Sequence, residues 1–258
     1  MRARKRFGQH FLSDQAVLQQ IERALSLRSG DRVLEIGPGQ GALTDLLIHT
    51  PQHYTAVEID RDLIPFLRAR HATLEVINAD ILQVDLAQLL AAGGGWRIVG
   101  NLPYNISSPL LAVLTDFVSA HPQRVADMHF MLQREMAQRL CATPGSKAWG
   151  RLSIMAQLRF TVELLFDVAP HSFSPPPKVW SSVIRMLPCD RMPAGVDTQA
   201  LDRLLRVAFA GRRKRLSNSL KTLAIDWSST TLDPGLRADD VSAQEYVSLV
   251  PLMGQAVE

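Results

Sequence analysis

Arg32-Val33-Leu34-Glu35-Ile36-Gly37-Pro38-Gly39-Gln40-Gly41 is the stretch on which the fold turns. Arg32–Ile36 is an apolar run of strand composition, and three glycines then lead into a helical pattern over Ala42–Ile48. Glycines at such a turn let a ligand approach the backbone where the N–H groups of a helix start point outward. Further strand-like runs follow at Tyr54–Glu58, Leu74–Asn78, Trp96–Ile98 and Val125–Gln133, with helical patterns between them. That alternation, sustained to about residue 142, predicts a parallel sheet covered by helices on both faces.

Several of these runs end on residues suited to a ligand. Glu58 closes the second run, seventeen residues past Gly41, where a carboxylate accepts both hydroxyls of an adenosine ribose. Ile59 lies beside it. Asp80 follows the third run, placed to accept the amino group of an adenine, with Ile81 against the ring. The fourth run leads into Val99-Gly100-Asn101-Leu102-Pro103-Tyr104-Asn105-Ile106-Ser107. Pro103 ends the strand ladder and pushes Leu102 into an extended conformation, so its carbonyl is expected to face a cleft unpaired. Asn101 Oδ1, the Leu102 carbonyl and the Tyr104 ring then form a receptor for a planar heterocycle carrying an amino group. The opposing reading is an ordinary turn with a packed tyrosine, and the rest of the chain decides between them.

Val162–Val168 and Val179–Leu187 read as an antiparallel pair at the sheet edge, separated by His171-Ser172-Phe173-Ser174-Pro175-Pro176-Pro177-Lys178-Val179. The prolines are expected to hold Phe173 exposed, ready to cover the second face of a base on Tyr104. Residues 191–197 look like a linker, and 198–258 read as a small helical domain with helices near 198–210, 212–224 and 242–250. At the N-terminus, Arg4-Lys5-Arg6-Phe7-Gly8-Gln9-His10-Phe11-Leu12 precedes Ser13, the expected cap of a helix over about 14–26. Its aromatics argue for a docked segment rather than a free tail. Asp60 is expected to cap the helix after the second strand.

The chain has 258 residues, 47% hydrophobic, enough for one large domain with a small appendage. No apolar stretch reaches the ~18 residues of a membrane span, and nothing resembles a secretory signal. Cys141 and Cys189 stand apart, which fits a reducing cytoplasmic setting. The seven histidines form no metal constellation, so no metal is expected. Net charge is +3, but the cations are concentrated. Residues 1–30 hold six Arg or Lys against two acids, and 201–221 hold seven against one. Clustering of this kind is the footprint of a polyanion. The candidate contacts are Arg4, Lys5, Arg6, Arg212, Arg213, Lys214, Arg215 and Lys221. Four consecutive cations at a helix start oppose the helix dipole, so an anionic partner is the better explanation for them.

Glu35 ahead of the glycines, and Pro38 among them, resemble the E/D-x-G-x-G turn of S-adenosylmethionine-dependent methyltransferases more than the dinucleotide turn of a dehydrogenase. Asn101-Leu102-Pro103-Tyr104 resembles the amine-binding motif of enzymes that methylate adenine. With Gln9-His10-Phe11-Leu12, Glu58-Ile59-Asp60, Phe173–Val179 and Arg212-Arg213-Lys214 in order, the chain resembles, over its whole length, the KsgA/RsmA family of small-subunit rRNA adenine dimethyltransferases. The resemblance implies an α/β class I S-adenosylmethionine-dependent methyltransferase fold, Rossmann-like, with a seven-stranded sheet ending in an antiparallel hairpin, over residues 1–190. A small all-α rRNA-binding domain over 191–258 completes it. It implies S-adenosyl-L-methionine held by His10, Leu12, Gly37, Glu58, Asp80 and Asn101, with Gly39, Ile59 and Ile81 completing that site. Asn101, Leu102, Tyr104 and Phe173 would serve catalysis. The substrate would be two adjacent adenosines near the 3′ end of 16S rRNA within the immature small ribosomal subunit, met in the cytoplasm by a monomeric enzyme. His10 departs from the asparagine that many members carry. The nearest competitor is the Erm family, which acts on 23S rRNA. A ribosome-assembly factor whose binding outweighs its catalysis, and a nicotinamide dehydrogenase, are the others.

Overall fold

A computed structural model describes residues 9–254. In chain order the elements are β1 (Phe11–Leu12), α1 (Gln15–Leu25), β2 (Arg32–Ile36), α2 (Ala42–Leu47), β3 (His53–Glu58), α3 (Ile64–Arg70), β4 (Glu75–Asn78), α4 (Leu86–Leu89) and β5 (Trp96–Asn101). They continue with α5 (Ser107–Ala120), β6 (Val125–Gln133), α6 (Arg134–Leu140), α7 (Arg151–Gln157), β7 (Phe160–Val168), β8 (Phe173–Ser174) and β9 (Ser181–Pro188). Three helices follow: α8 (Thr198–Ala210), α9 (Leu216–Ser219) and α10 (Ala243–Leu249).

Seven strands form one sheet in the order β4-β3-β2-β5-β6-β9-β7. The pairs β3·β4, β2·β3, β2·β5 and β5·β6 are parallel, whereas β9 runs antiparallel to β6. The chain builds outward from β2 through β3 to β4, then returns to β2's other side to lay down β5 and β6. Strand order therefore reverses between β2 and β5. In an open α/β sheet the crevice beyond the strand ends at such a point is where ligands bind. The glycine turn leaves β2 there, and Asn101 ends β5 there.

By contact, the chain divides into two compact units. One holds the residues through Ala137 together with Glu163–Pro188, and the other holds Gln138–Val162 together with the residues from Cys189 on. The sequence places residues 138–162 with the first domain, and the structure differs. Trp149, Ile154 and Leu158 share a core with Leu201, Leu204 and Leu205 of α8 and with Tyr246 of α10. The Trp149 indole N–H donates to the Val241 carbonyl at 2.9 Å. A buried indole needs that partner, and no local pattern announces one 92 residues away.

Two capping expectations also change. Asp14, not Ser13, caps α1: its carboxylate accepts the Ala16 and Val17 N–H groups. The Ser13 hydroxyl is spent on the Ser172 carbonyl. Asp60 caps a turn at residues 61–63, and α3 starts later, behind Leu63, with no side-chain cap.

Glu35 is buried on β2, where its carboxylate accepts the Thr44 hydroxyl at 2.6 Å and the Tyr54 hydroxyl at 2.8 Å. It thereby joins β2 to α2 and β3. Burial pushes its pKa up to about 7, against the pull of the two donors. A carboxyl that binds its proton more tightly when folded stabilises fully below about pH 4.5, and that contribution fades as pH rises to about 7. Stability is thus expected to fall by on the order of 3 kcal/mol across that window. Glu35→Gln should abolish the slope, read by denaturant titration at several pH values. Asp127 titrates lower, since His129 and the Arg97 fork outweigh its burial and hold it at about 2. Its contribution is lost only below about pH 4, so the two slopes separate.

Candidate active site

A cavity of about 320 Å³ opens at the ends of β2, β3, β5 and β6. Its floor is the glycine turn. Gly37, Gly39 and Gly41 all take positive φ, at 68°, 59° and 81°, which side chains resist. A Cβ on Gly39 would meet the Phe11 ring at 3.1 Å. At the facing strand, a Cβ on Gly100 would lie 2.7 Å from the Ile36 carbonyl, so the two strands meet there only without a side chain.

Glu58 ties this floor to the end of β3. Its Oε2 accepts the Gly39 N–H at 3.0 Å and its Oε1 accepts the Asp60 N–H at 2.8 Å. Each oxygen keeps a further lone pair for a ligand hydroxyl. Burial is the main cause that raises the carboxyl above its ordinary pKa. Asp80 uses Oδ1 to accept the Leu82 N–H at 3.0 Å, holding the short turn Ile81–Gln83. Ile59, exposed at the rim, and Ile81, buried in the wall, line the same end of the cavity as these acids. The result is an apolar slot with acceptors along its edge.

The opposite end is built by the stretch after β5. Asn101 Nδ2 donates to the His10 carbonyl at 3.0 Å, which orients the amide and leaves Oδ1 as its available acceptor. The Leu102 N–H bonds to the Met131 carbonyl at 3.1 Å, while among the described residues no donor reaches the Leu102 carbonyl. Pro103 then turns the chain into α5, its carbonyl accepting the Ile106 N–H and the Ser107 hydroxyl. Tyr104 is half-buried, its hydroxyl 3.0 Å from Ser181 Oγ. The His10 ring stacks loosely on Tyr104 with centroids 6.1 Å apart, and its Nδ1 lies 2.7 Å from the Pro175 carbonyl. Strand β1 pairs antiparallel with β8, setting Leu12 opposite Phe173 and Phe11 opposite Ser174. His10, Leu12, Gly37, Asn101, Leu102 and Tyr104 thus border one space with the acids.

Phe173 requires correction. It is only 4% exposed and belongs to the core around Leu12 and Leu18. The β1·β8 pairing draws the proline-framed loop inward, so Phe173 forms part of the cavity wall and does not project from a rigid lid. Ser181 and His129 also line or brace the site, and no local pattern singles out either. Ser181 meets Tyr104 across 77 residues, and nothing local signals that.

The cationic segment also differs. Gly211–Lys214 is a turn, and the expected helix near 212–224 shrinks to α9, four residues long. At four residues, with Arg215 as its N-cap, α9 has too little dipole for the cations to oppose, so the dipole argument does not apply. Arg212 is committed to its own unit: its Nε donates to Asp239 at 3.3 Å and its Nη2 to the Ser146 and Lys147 carbonyls. Arg213, Lys214, Arg215 and Lys221 are exposed. Arg4, Lys5 and Arg6 lie outside the described residues. Among the described residues no three His, Cys, Asp or Glu side chains gather as a metal site, and no helix is long and apolar enough to cross a membrane.

A family model described as ribosomal RNA adenine dimethylase matches residues 1–254. A protein of Bordetella petrii named ribosomal RNA small subunit methyltransferase A is 48% identical over 260 residues, covering 98% of this chain and 96% of that one. Its namesake in Pseudomonas aeruginosa is 46% identical over 254 residues, covering 96% and 93%. Among solved structures, a dimethyladenosine transferase from Plasmodium falciparum matches with a TM-score of 0.78 at 26% identity, over 93% of this chain and 96% of that one. The 23S rRNA methyltransferase ErmE matches with a TM-score of 0.69 at 24% identity, over 95% and 100%, a likeness of fold.

Proposed function

This chain belongs to the ribosomal RNA adenine dimethylase family, and on that premise we propose that it dimethylates the exocyclic amines of two adjacent adenosines in the 3′-terminal hairpin loop of 16S rRNA. The observation that carries the reading is the Asn101 amide, pinned by the His10 carbonyl with Oδ1 free, bordering one cavity with the glycine turn and Glu58.

The residues present fit S-adenosylmethionine. Gly37 and Gly39, at positive φ and without side chains to fill the space, suit a close-lying methionine portion beside His10 and Leu12. Glu58 has lone pairs for the ribose hydroxyls, and Asp80, Ile59 and Ile81 suit the adenine. When bound, the cofactor supplies an electrophilic methyl group on its sulfonium.

The chain's own part is positioning. An adenine amine is a poor nucleophile because its lone pair is delocalised into the ring. Asn101 Oδ1 and the Leu102 carbonyl accept its two hydrogens, aim the lone pair toward the glycine side and favour a tetrahedral nitrogen. Once methylated, the nitrogen is cationic and acidic, so its proton leaves without a strong base. The second transfer has one hydrogen left to bind, and a single acceptor then orients the amine. Tyr104 offers a face to the flipped base, whose removal from the loop costs a few kcal/mol.

The substrate is the immature small subunit, met in the cytoplasm, and the enzyme acts as a monomer. Arg213, Lys214 and Arg215 contact phosphates. Converting all three to glutamine should reduce the salt slope of subunit binding by about one unit per cation, with cofactor affinity as the control. Mass spectrometry of 16S rRNA tests the function. A strain lacking the gene should lack two adjacent dimethyladenosines, and the gene should restore them. Restoration confined to a 23S adenosine would favour the Erm-like reading, which otherwise rests on fold.

A further inference from the structure

We propose that Trp180, with Arg134 against it, is a stacking platform for an unpaired nucleobase of the RNA next to the target adenosine. The inference rests on the rRNA reading above. Trp180 and Val179 are large apolar residues left 43% and 44% exposed, side by side. A large aromatic left this open, with a cation against its ring, offers a face to a partner. The Arg134 guanidinium lies 5.4 Å from the Trp180 ring centroid, and its position is braced by Asp167 at 3.8 Å. A rigid indole paired with a guanidinium is the chemistry that holds single-stranded bases, by stacking and by cation–π attraction. Lys178, two residues earlier, is exposed and supplies a charge for the adjoining phosphate.

Position favours RNA over a protein partner. The Arg134 N–H donates to the Trp180 carbonyl at 2.9 Å, which fixes the platform where β6 ends and β9 begins. The next residue, Ser181, holds the Tyr104 hydroxyl. The platform is thus joined along the chain to the residue that meets Tyr104, although neither Trp180 nor Arg134 lines the cavity itself. With the target base in the cavity its neighbouring nucleotides stay outside it, and unstacked loop bases are what such platforms accept.

The test is a set of short RNA hairpins carrying the two target adenosines, with an abasic nucleotide placed in turn at each adjoining loop position. Their dissociation constants are measured for the unmodified protein, Trp180→Ala and Trp180→Phe. The unmodified protein should lose about tenfold in affinity at one abasic position. Trp180→Ala should lose about tenfold on the intact hairpin and nothing more on that abasic one, and Trp180→Phe should keep most of the binding. Thermal melting checks that both variants fold. No measurable hairpin binding, or a Trp180→Ala protein as sensitive as the original at every abasic position, overturns the platform. Unmethylated 16S adenosines in cells carrying the unmodified protein would instead sink the functional reading, whatever the hairpins show.

Discussion

Asn101→Ala is expected to lower the rate of methyl transfer by roughly 10²–10³-fold, the size seen when one oriented polar group is removed from a reacting centre. S-adenosylmethionine affinity should change far less. The difference follows from where the side chain is used. Its Nδ2 is bonded to the His10 carbonyl, and that bond only aims the amide. The oxygen so aimed is the acceptor for the substrate amine. Asn101→Asp sharpens the test, because a carboxylate cannot donate to the His10 carbonyl and would be repelled by it. It retains an acceptor yet loses the means of holding it in place, so a large rate loss is expected again. Single-turnover kinetics with saturating cofactor, beside equilibrium cofactor binding, make the measurement. Parallel losses in rate and cofactor binding would remove Asn101 from the role assigned here.

Glu58→Ala should give the reverse pattern, weakening cofactor binding by at least about a hundredfold, since hydrogen bonds to a charged acceptor contribute about 1.5–3 kcal/mol each. Stability should also fall by about 2–4 kcal/mol, because the Gly39 and Asp60 N–H groups both lose their acceptor. With cofactor raised to saturation, the remaining rate should recover more fully than for Asn101→Ala. The carboxyl's raised pKa has a further consequence. Protonation removes acceptor capacity, so cofactor affinity should decline as pH falls, beginning above the range of an ordinary glutamate. Calorimetric titration at several pH values reads both effects, and a flat profile would separate Glu58 from the ribose.

What the sequence by itself determined lies along single segments. Strand ends can be located because breakers are local: glycines end β2, Pro103 ends the ladder after Asn101, and Glu58 and Asp80 follow apolar runs that need burial. The parallel sheet, the glycine floor and the strand-end residues Glu58, Asp80 and Asn101 are legible for that reason, whereas His129 and Ser181 are not. Tertiary structure alone decided how distant segments serve one another. The Asn101 amide takes its orientation from a carbonyl 91 residues earlier. Phe173 is inside because β8 pairs with β1, and Arg212 is withdrawn because Asp239 and two carbonyls claim it. Residues 138–162 join the second unit because Trp149 and Ile154 find their apolar partners on α8 and α10. Periodicity tells a side chain that it must be buried or bonded. The partner that satisfies it is chosen only when the chain closes in three dimensions, by packing and by the need of every buried polar group for a mate.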